Sequence, residues 1–263
     1  MERSKVKNVV ILILLAVDLA LGYMLLSESI SAKRIDDRAR ENLVQVLERD
    51  GIALMCAVPD NENIYAIEAV RGTDSEKRTA ESLVGSCVME DQGGNIHCYR
   101  GEKGDVYFRG SGEFEVIFGE DADLGSVIRA LKKQNVQIDQ REGEDYACTG
   151  YQMVNGRVLR NSTVTLRVSG GKPATLEGRW LISPVQQDMS APGADVLTAI
   201  MHFASENADS GYGCTEIKSV EPGYYMTAQV SGEFALEPVW DIETDVGCFR
   251  VNGSDLHVEQ VRN

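Results

Sequence analysis

Residues Val9 to Leu26 read VVILILLAVDLALGYMLL, eighteen residues with a single ionisable group. As an α-helix this run is roughly 27 Å long, close to the hydrocarbon thickness of a bilayer, about 30 Å. Arg3, Lys5 and Lys7 precede it. On the other flank, Lys33 and Arg34 are balanced by Asp36 and Asp37. The cytoplasmic bias of basic residues then predicts a single-pass protein of the cell membrane, with the N-terminus inside and everything after about residue 27 outside. A cleaved signal peptide, with Ser29 and Ser31 as its small-residue site, is the competing reading. The apolar run is longer than a signal-peptide core of about 7–15 residues, which favours an anchor.

Asp18 sits in the middle of that run. A lone carboxyl group at mid-bilayer costs about 3 kcal/mol or more unless it is protonated or partnered. The sequence offers no second span to shield it, so Asp18 is the candidate contact with another protein's transmembrane helix. A protonated Asp tolerated in a marginal span is the plainer alternative.

The formal net charge is −15. Before residue 32, Arg3, Lys5 and Lys7 balance Glu2, Asp18 and Glu28, so the whole excess lies in the outer part. A surface this acidic repels phosphate backbones and anionic polymers, which argues against nucleic acid as a partner.

Beyond the span, Ala39, Leu43, Val46 and Leu47 follow helical spacing, and Gly51 supplies a stop, which reads as a stalk. Apolar runs follow at 52–58 and 63–71. The segment TDSE over Thr73–Glu76 fits a capping box for a short helix ending before Gly85. Four strands are expected at 86–91, 95–100, 104–109 and 112–118, separated by glycine-rich turns. Asp123 then caps a helix whose buried stripe is Leu124, Val127, Ile128 and Leu131, with Lys132 and Lys133 in its last turn. Strands at 146–154, 157–168 and 174–183 precede a helix expected to start at Pro192. The end reads as strands at 213–220, 223–231, 236–244, 246–251 and 255–261, with Pro222-Gly223 as a turn.

The fold class expected is therefore α+β: one N-terminal transmembrane helix followed by extracytoplasmic helix-plus-antiparallel-sheet units. The organisation would be a cytoplasmic N-terminus over 1–8, a transmembrane helix over 9–26, a helical stalk over 27–50, and subdomains over 51–122 and 123–263.

Catalytic patterns are missing. The histidines, His97, His202 and His257, include no pair at helical spacing for a metal, and there is no C-x-x-C. No G-x-S-x-G elbow occurs, and Ser4-to-Lys7 (SKVK) precedes the span, where it sets topology. The expectation is a non-enzymatic protein with no cofactor and no metal. All six cysteines follow the span. Cys87 and Cys98 flank the turn at Gln92–Asn95 almost symmetrically, making them the candidate disulfide; Cys214–Cys248 is a weaker pairing, and free buried thiols are the other reading.

In this order the pieces resemble the YycI family of Gram-positive bacteria, relatives of YycH. SKVK at Ser4–Lys7 is similar to the family's S-K-x-K opening, and Asp18 falls where the family commonly carries Asn. YQMVNGRV over residues 151–158 is similar to its Y-x-Q-x-Y-x-G-x-P segment. IKSVEPGYY over 217–225, EPVWDIET over 237–244 and FRVNG over 249–253 resemble its I-x-x-x-x-x-G-Y-Y, P-x-W-x-I and Y-x-V-N blocks. Tyr224, Trp240 and Ile242 within them suit packing of the last sheet against the helix that follows Pro192. The resemblance implies a PepSY-like outer domain on one span. It further implies a complex with a YycH-like protein that modulates a WalK-type (YycG-type) sensor histidine kinase governing cell-wall metabolism. An anchored or secreted PepSY-like ligand-binding or inhibitor module is the alternative.

Overall fold

The computed structural model describes residues 37–60, 64–139, 143–182, 185–229 and 233–261, with the backbone alone for 185–191. The expected span at 9–26, including Asp18, and the basic residues Arg3, Lys5 and Lys7 lie outside the described residues. Helix α1 runs over 37–49. It is no free-standing stalk: Leu43 and Leu47, one turn apart, are fully buried in the main core. Burial of two leucines stabilises the domain by about 1.5–3 kcal/mol each. Arg40 ties the helix to the following loop by donating to the carbonyls of Val58 at 2.6 Å and Pro59 at 2.9 Å.

The next elements are β1 (Ala53–Leu54), β2 (Tyr65–Val70), α2 (Thr73–Val84), β3 (Cys87–Asp91), β4 (Ile96–Gly101), β5 (Gly104–Arg109), β6 (Glu113–Phe118) and α3 (Leu124–Lys133). They are followed by β7 (Val136–Ile138), β8 (Tyr146–Val154), β9 (Arg157–Ser169), β10 (Lys172–Arg179) and β11 (Val185–Pro192). The chain closes with α4 (Val196–Ser210), β12 (Glu216–Ala228), β13 (Glu233–Thr244), β14 (Cys248–Asn252) and β15 (Val258–Val261).

These strands overturn the expected series of α+β units behind a transmembrane helix. They form one sheet of 15 strands, in the order β11-β2-β13-β12-β9-β10-β6-β5-β4-β3, with β1, β14–β15 and β7–β8 branching from it. Of the described residues 48% are strand and 24% helix, so the sheet dominates. Among the described residues no helix is long and apolar enough to cross a membrane. The physical reason is strand length. The pieces read as 213–220 and 223–231 fuse into β12, thirteen residues that run straight through Pro222-Gly223. Pro222 is tolerated because it falls between the stretch of β12 paired with β1 (Glu216–Ile217) and the stretch paired with β9 (Gly223–Tyr224), where no ladder donor is needed. Nor does the sheet pause at residue 122: β6 pairs with β10, and β2 with β13.

Two cores lie along this sheet. One gathers α1, α4, β2 and β12 to β15 around Trp240, Tyr224, Phe203 and Phe249. The other gathers α2, α3, β3 to β6 and β8 to β10 around Tyr99, Phe114 and Trp180. Tyr224, Trp240 and Ile242 pack with α4 as the sequence suggests, and Trp240 Nε1 donates to the Ala194 carbonyl at 2.9 Å. Helix α4 begins one turn later than Pro192, at the cap Asp195, which accepts from Thr198 N. Asp123 caps α3 by accepting from the Ser126 amide and hydroxyl, both at 2.8 Å. The Ser126 hydroxyl first, then its amide, lower the Asp123 pKa. For α2 the capping box is absent: its cap is Gly72 with no side-chain bond, and Glu76 is turned inward.

Candidate functional site: a charged row on the sheet

In β13 the odd-numbered residues face away from the core that holds Trp240 and Ile242. Register across five strands then sets charged groups side by side on that outer face. Glu221 of β12 lies opposite Asp241 of β13, Asp241 opposite Arg250 of β14, and Arg250 opposite Glu259 of β15. Arg160 of β9 reaches the row from the other side. Gly223 gives it room, since a Cβ there would stand 2.6 Å from Arg160 Nε and 3.0 Å from the Val158 carbonyl.

The contacts are specific. Arg160 places Nε 3.1 Å from Asp241 Oδ2 and donates from Nη2 to Glu221 Oε2 at 3.2 Å. Arg250 donates from Nε to Asp241 Oδ1 at 2.8 Å and from Nη2 to Oδ2 at 3.1 Å, a two-pronged pairing. Its Nη1 lies 3.5 Å from Glu259 Oε1, and its guanidinium lies 5.3 Å from the centre of the Tyr225 ring. The three central side chains are only 11–15% exposed, whereas Glu221 and Glu259 are 61% and 49% exposed. Burial works against the Arg250 charge, but hydrogen bonding and attraction from Asp241 outweigh it and raise its pKa.

A hollow of about 270 Å³ adjoins the row, lined further by Ser219, Glu243, Thr244 and Cys248. Ser219 donates to Glu243 Oε2 at 3.2 Å. Burial, then the Asp241 charge, push the Cys248 thiol up in pKa, so it is held as the neutral thiol. Asp241 has both oxygens committed to guanidinium groups. The arrangement presents a fixed pattern of charge; it aims no activated nucleophile into the hollow.

A second polar cluster is internal. Glu76, buried on α2, accepts from Arg71 Nε, lies 2.6 Å from His97 Nδ1 and accepts from Tyr99 OH at 3.1 Å. Arg71 also donates to the carbonyls of Asn95 at 2.8 Å and Phe108 at 3.1 Å. Burial, then the Glu76 charge, push the Tyr99 pKa well above the ordinary phenol range. This cluster binds the end of β2 and α2 to the β4–β5 hairpin.

The predicted disulfide does not form. Cys87 pairs with Gly101, and Cys98 pairs with Glu90, three positions along β3 from Cys87. An odd offset puts the two side chains on opposite faces: Cys87 in the core beside Tyr99, Cys98 opposite Tyr107 on the outer face. The turn is the cause, because Gly93, Gly94 and Asn95 all adopt positive φ and shift the hairpin register away from the symmetric one. All six cysteines are free, Cys214 and Cys248 included. His97 belongs to the Glu76 cluster, His202 sits on α4, and His257 precedes β15. Among the described residues no group of three or more His, Cys, Asp or Glu could hold a metal ion. The residues that sequence reasoning missed are Arg160, Glu221, Asp241, Arg250 and Glu259. A partial signal lies in β13, where Glu237, Asp241 and Glu243 alternate with Leu236, Trp240 and Ile242.

No family model matches the chain, and no curated protein matches it. A solved structure of an uncharacterized protein from Eubacterium rectale ATCC 33656 is similar, at 10% identity and a TM-score of 0.46, covering 85% of this chain and 99% of that one.

Proposed function

We propose that this chain is a membrane-held, non-enzymatic regulator that biases a WalK-type sensor histidine kinase controlling cell-wall metabolism, in complex with a YycH-like protein. The observation that carries the reading is the charged row. Its centre is locked and buried while Glu221 and Glu259 stand exposed at its ends, which suits recognition of a basic protein surface. The apolar run at 9–26 supports the membrane location, and Asp18 supports contact between spanning helices. The blocks quoted above supply the resemblance to YycI. Such a regulator needs differential contacts with two kinase states, and about 1–3 kcal/mol of coupling suffices. The hollow of about 270 Å³ favours a second reading, an anchored or secreted ligand-binding or inhibitor module.

The test is reconstitution of the full chain with the kinase and its YycH-like partner in nanodiscs, reading kinase autophosphorylation and co-recovery in mild detergent. The wild type should change autophosphorylation several-fold. E221K/E259K should abolish that change, and D18L should insert yet lower recovery of the partners. A kinase indifferent to the wild-type chain, or variants that act as the wild type does, would overturn the proposal.

A further inference from the structure

The described arginines are mostly neutralised where they stand, as at Arg71, Arg100, Arg160 and Arg250. That is the expected outcome in a chain with 41 acidic against 26 basic side chains. One groove departs from it. Between α2, the end of α3 and β8 runs an open groove of about 520 Å³, within the span of small-ligand sites. Its polar lining is made of hydroxyls (Ser75, Thr79), amides (Asn135, Asn155) and two cations, Arg78 and Lys133, with no carboxylate among the residues that line it. Met153 and Ile182 add apolar wall.

Local structure explains how these groups converge. Ser75, Arg78 and Thr79 share one face of α2, at spacings of three and four residues. Helix α3 stops at Gln134, and Asn135, at φ 57°, turns the chain into β7 while its carbonyl accepts from Met153 N at 2.9 Å. Beneath the groove, buried Gln152 is clamped at both ends of its amide, donating to the Leu181 carbonyl at 2.8 Å and accepting from Leu181 N at 2.9 Å. Those two bonds fix the β8 wall of the groove to Leu181.

Arg78 lies along this groove, donating from Nε to the Asp74 carbonyl at 3.2 Å and from Nη2 to Ser75 Oγ at 3.3 Å. Among the described residues neither Arg78 nor Lys133 has a carboxylate at ion-pair distance. The acidic charge elsewhere does not forbid an anion here: at physiological salt its field is screened beyond about 8 Å, so the nearest groups decide. We propose that this groove binds an extended peptide segment bearing carboxylates. Arg78 and Lys133 would take the acids, and the hydroxyls and side-chain amides the peptide groups. The site is separate from the charged row and does not rest on the kinase reading.

The test is calorimetric titration of the full chain in neutral detergent with N-acetylated tetraglutamate amide, against the tetraglutamine peptide of equal length. Tetraglutamate should bind, with tetraglutamine about tenfold weaker or worse. R78Q/K133Q should weaken tetraglutamate about fivefold or more, while R38Q, an exposed arginine outside the groove, should leave it unchanged. An unaltered thermal melt of R78Q/K133Q keeps the comparison sound, and single R78Q and K133Q variants, each expected to fall between, replace it if the double variant fails to fold. Equal binding of the two peptides, no binding of tetraglutamate, an indifferent R78Q/K133Q, or displacement by inorganic phosphate at matched charge would each overturn the peptide site.

Discussion

Glu76 offers the sharpest test of how the second core is held. Its side chain is 3% exposed and that of Arg71 10%, so solvent screening offers no relief if either is left alone. Deleting one partner of a buried ion pair costs about 3–5 kcal/mol, because the other charge stays desolvated. Glu76→Leu and Arg71→Met should each fall in that range. The double variant strands neither charge and should cost about as much as one single variant, giving a coupling of about 3 kcal/mol. The remainder reflects acceptors that Arg71 now satisfies, the carbonyls of Asn95 and Phe108. The chain's two tryptophans fall one in each core, so a Trp240→Phe background leaves Trp180 as reporter. Trp180 lines the same small void as Arg71 and Glu76, which makes its fluorescence a local probe. Urea unfolding of the full chain in neutral detergent should show the midpoint falling by about 1 M or more for each single variant. Additive effects, with coupling below about 0.5 kcal/mol, would refute the buried-charge argument.

Acid should weaken the domain partly through Asp245. The Thr215 hydroxyl at 2.7 Å, then the Thr215 and Glu216 amides, hold its carboxyl well below the usual carboxylate range. A depressed folded value means the stabilisation is whole above the unfolded pKa, about 3.9, and vanishes as pH falls through the folded one. D245N should therefore flatten the fall in Tm below about pH 4 and leave the slope above pH 5 unchanged; an identical acid slope would refute it. The thiols should be slow: burial raises the pKa of Cys56, Cys87, Cys98 and Cys248, and that of Cys214 to about 11. Native alkylation at pH 7 should lag far behind that of the unfolded chain, and mass spectrometry after glutathione-buffered oxidation should find no Cys87–Cys98 peptide.

Local signals were legible where local physics decides. The glycine-rich turns delimit β3 to β6, Asp123 caps α3, and the stripe of Val127 and Leu131 is buried. Signals failed where tertiary pairing overrides them. Pro222-Gly223 is turn chemistry by composition, yet pairing with β13 along its length keeps β12 extended. Glu76 has the spacing of a capping partner, but a buried guanidinium, an imidazole and a phenol compete for it and win. Strands β7 and β11 carry too little alternation to stand out. The charged row as a whole could not be read, because it exists only once the register of β9, β12, β13, β14 and β15 is set.

That row also bears on how the two cores are joined. Strands β9 and β12, which meet at the boundary between them, share only two backbone partners, Gly223↔Val158 and Tyr224↔Leu159. Beyond these, side chains do the joining. Asn161 donates from Nδ2 to the Met226 carbonyl at 2.7 Å and accepts from Met226 N at 2.9 Å, copying a strand partner's two bonds. Arg160 crosses β12 to reach Asp241 and Glu221. A carboxylate removed from Arg160, or a rival cation brought to Glu221, therefore acts on the seam as well as on the surface. A partner bound at the row, as proposed, would draw on the same guanidinium that fixes the two cores to each other, so a change at one would be felt at the other.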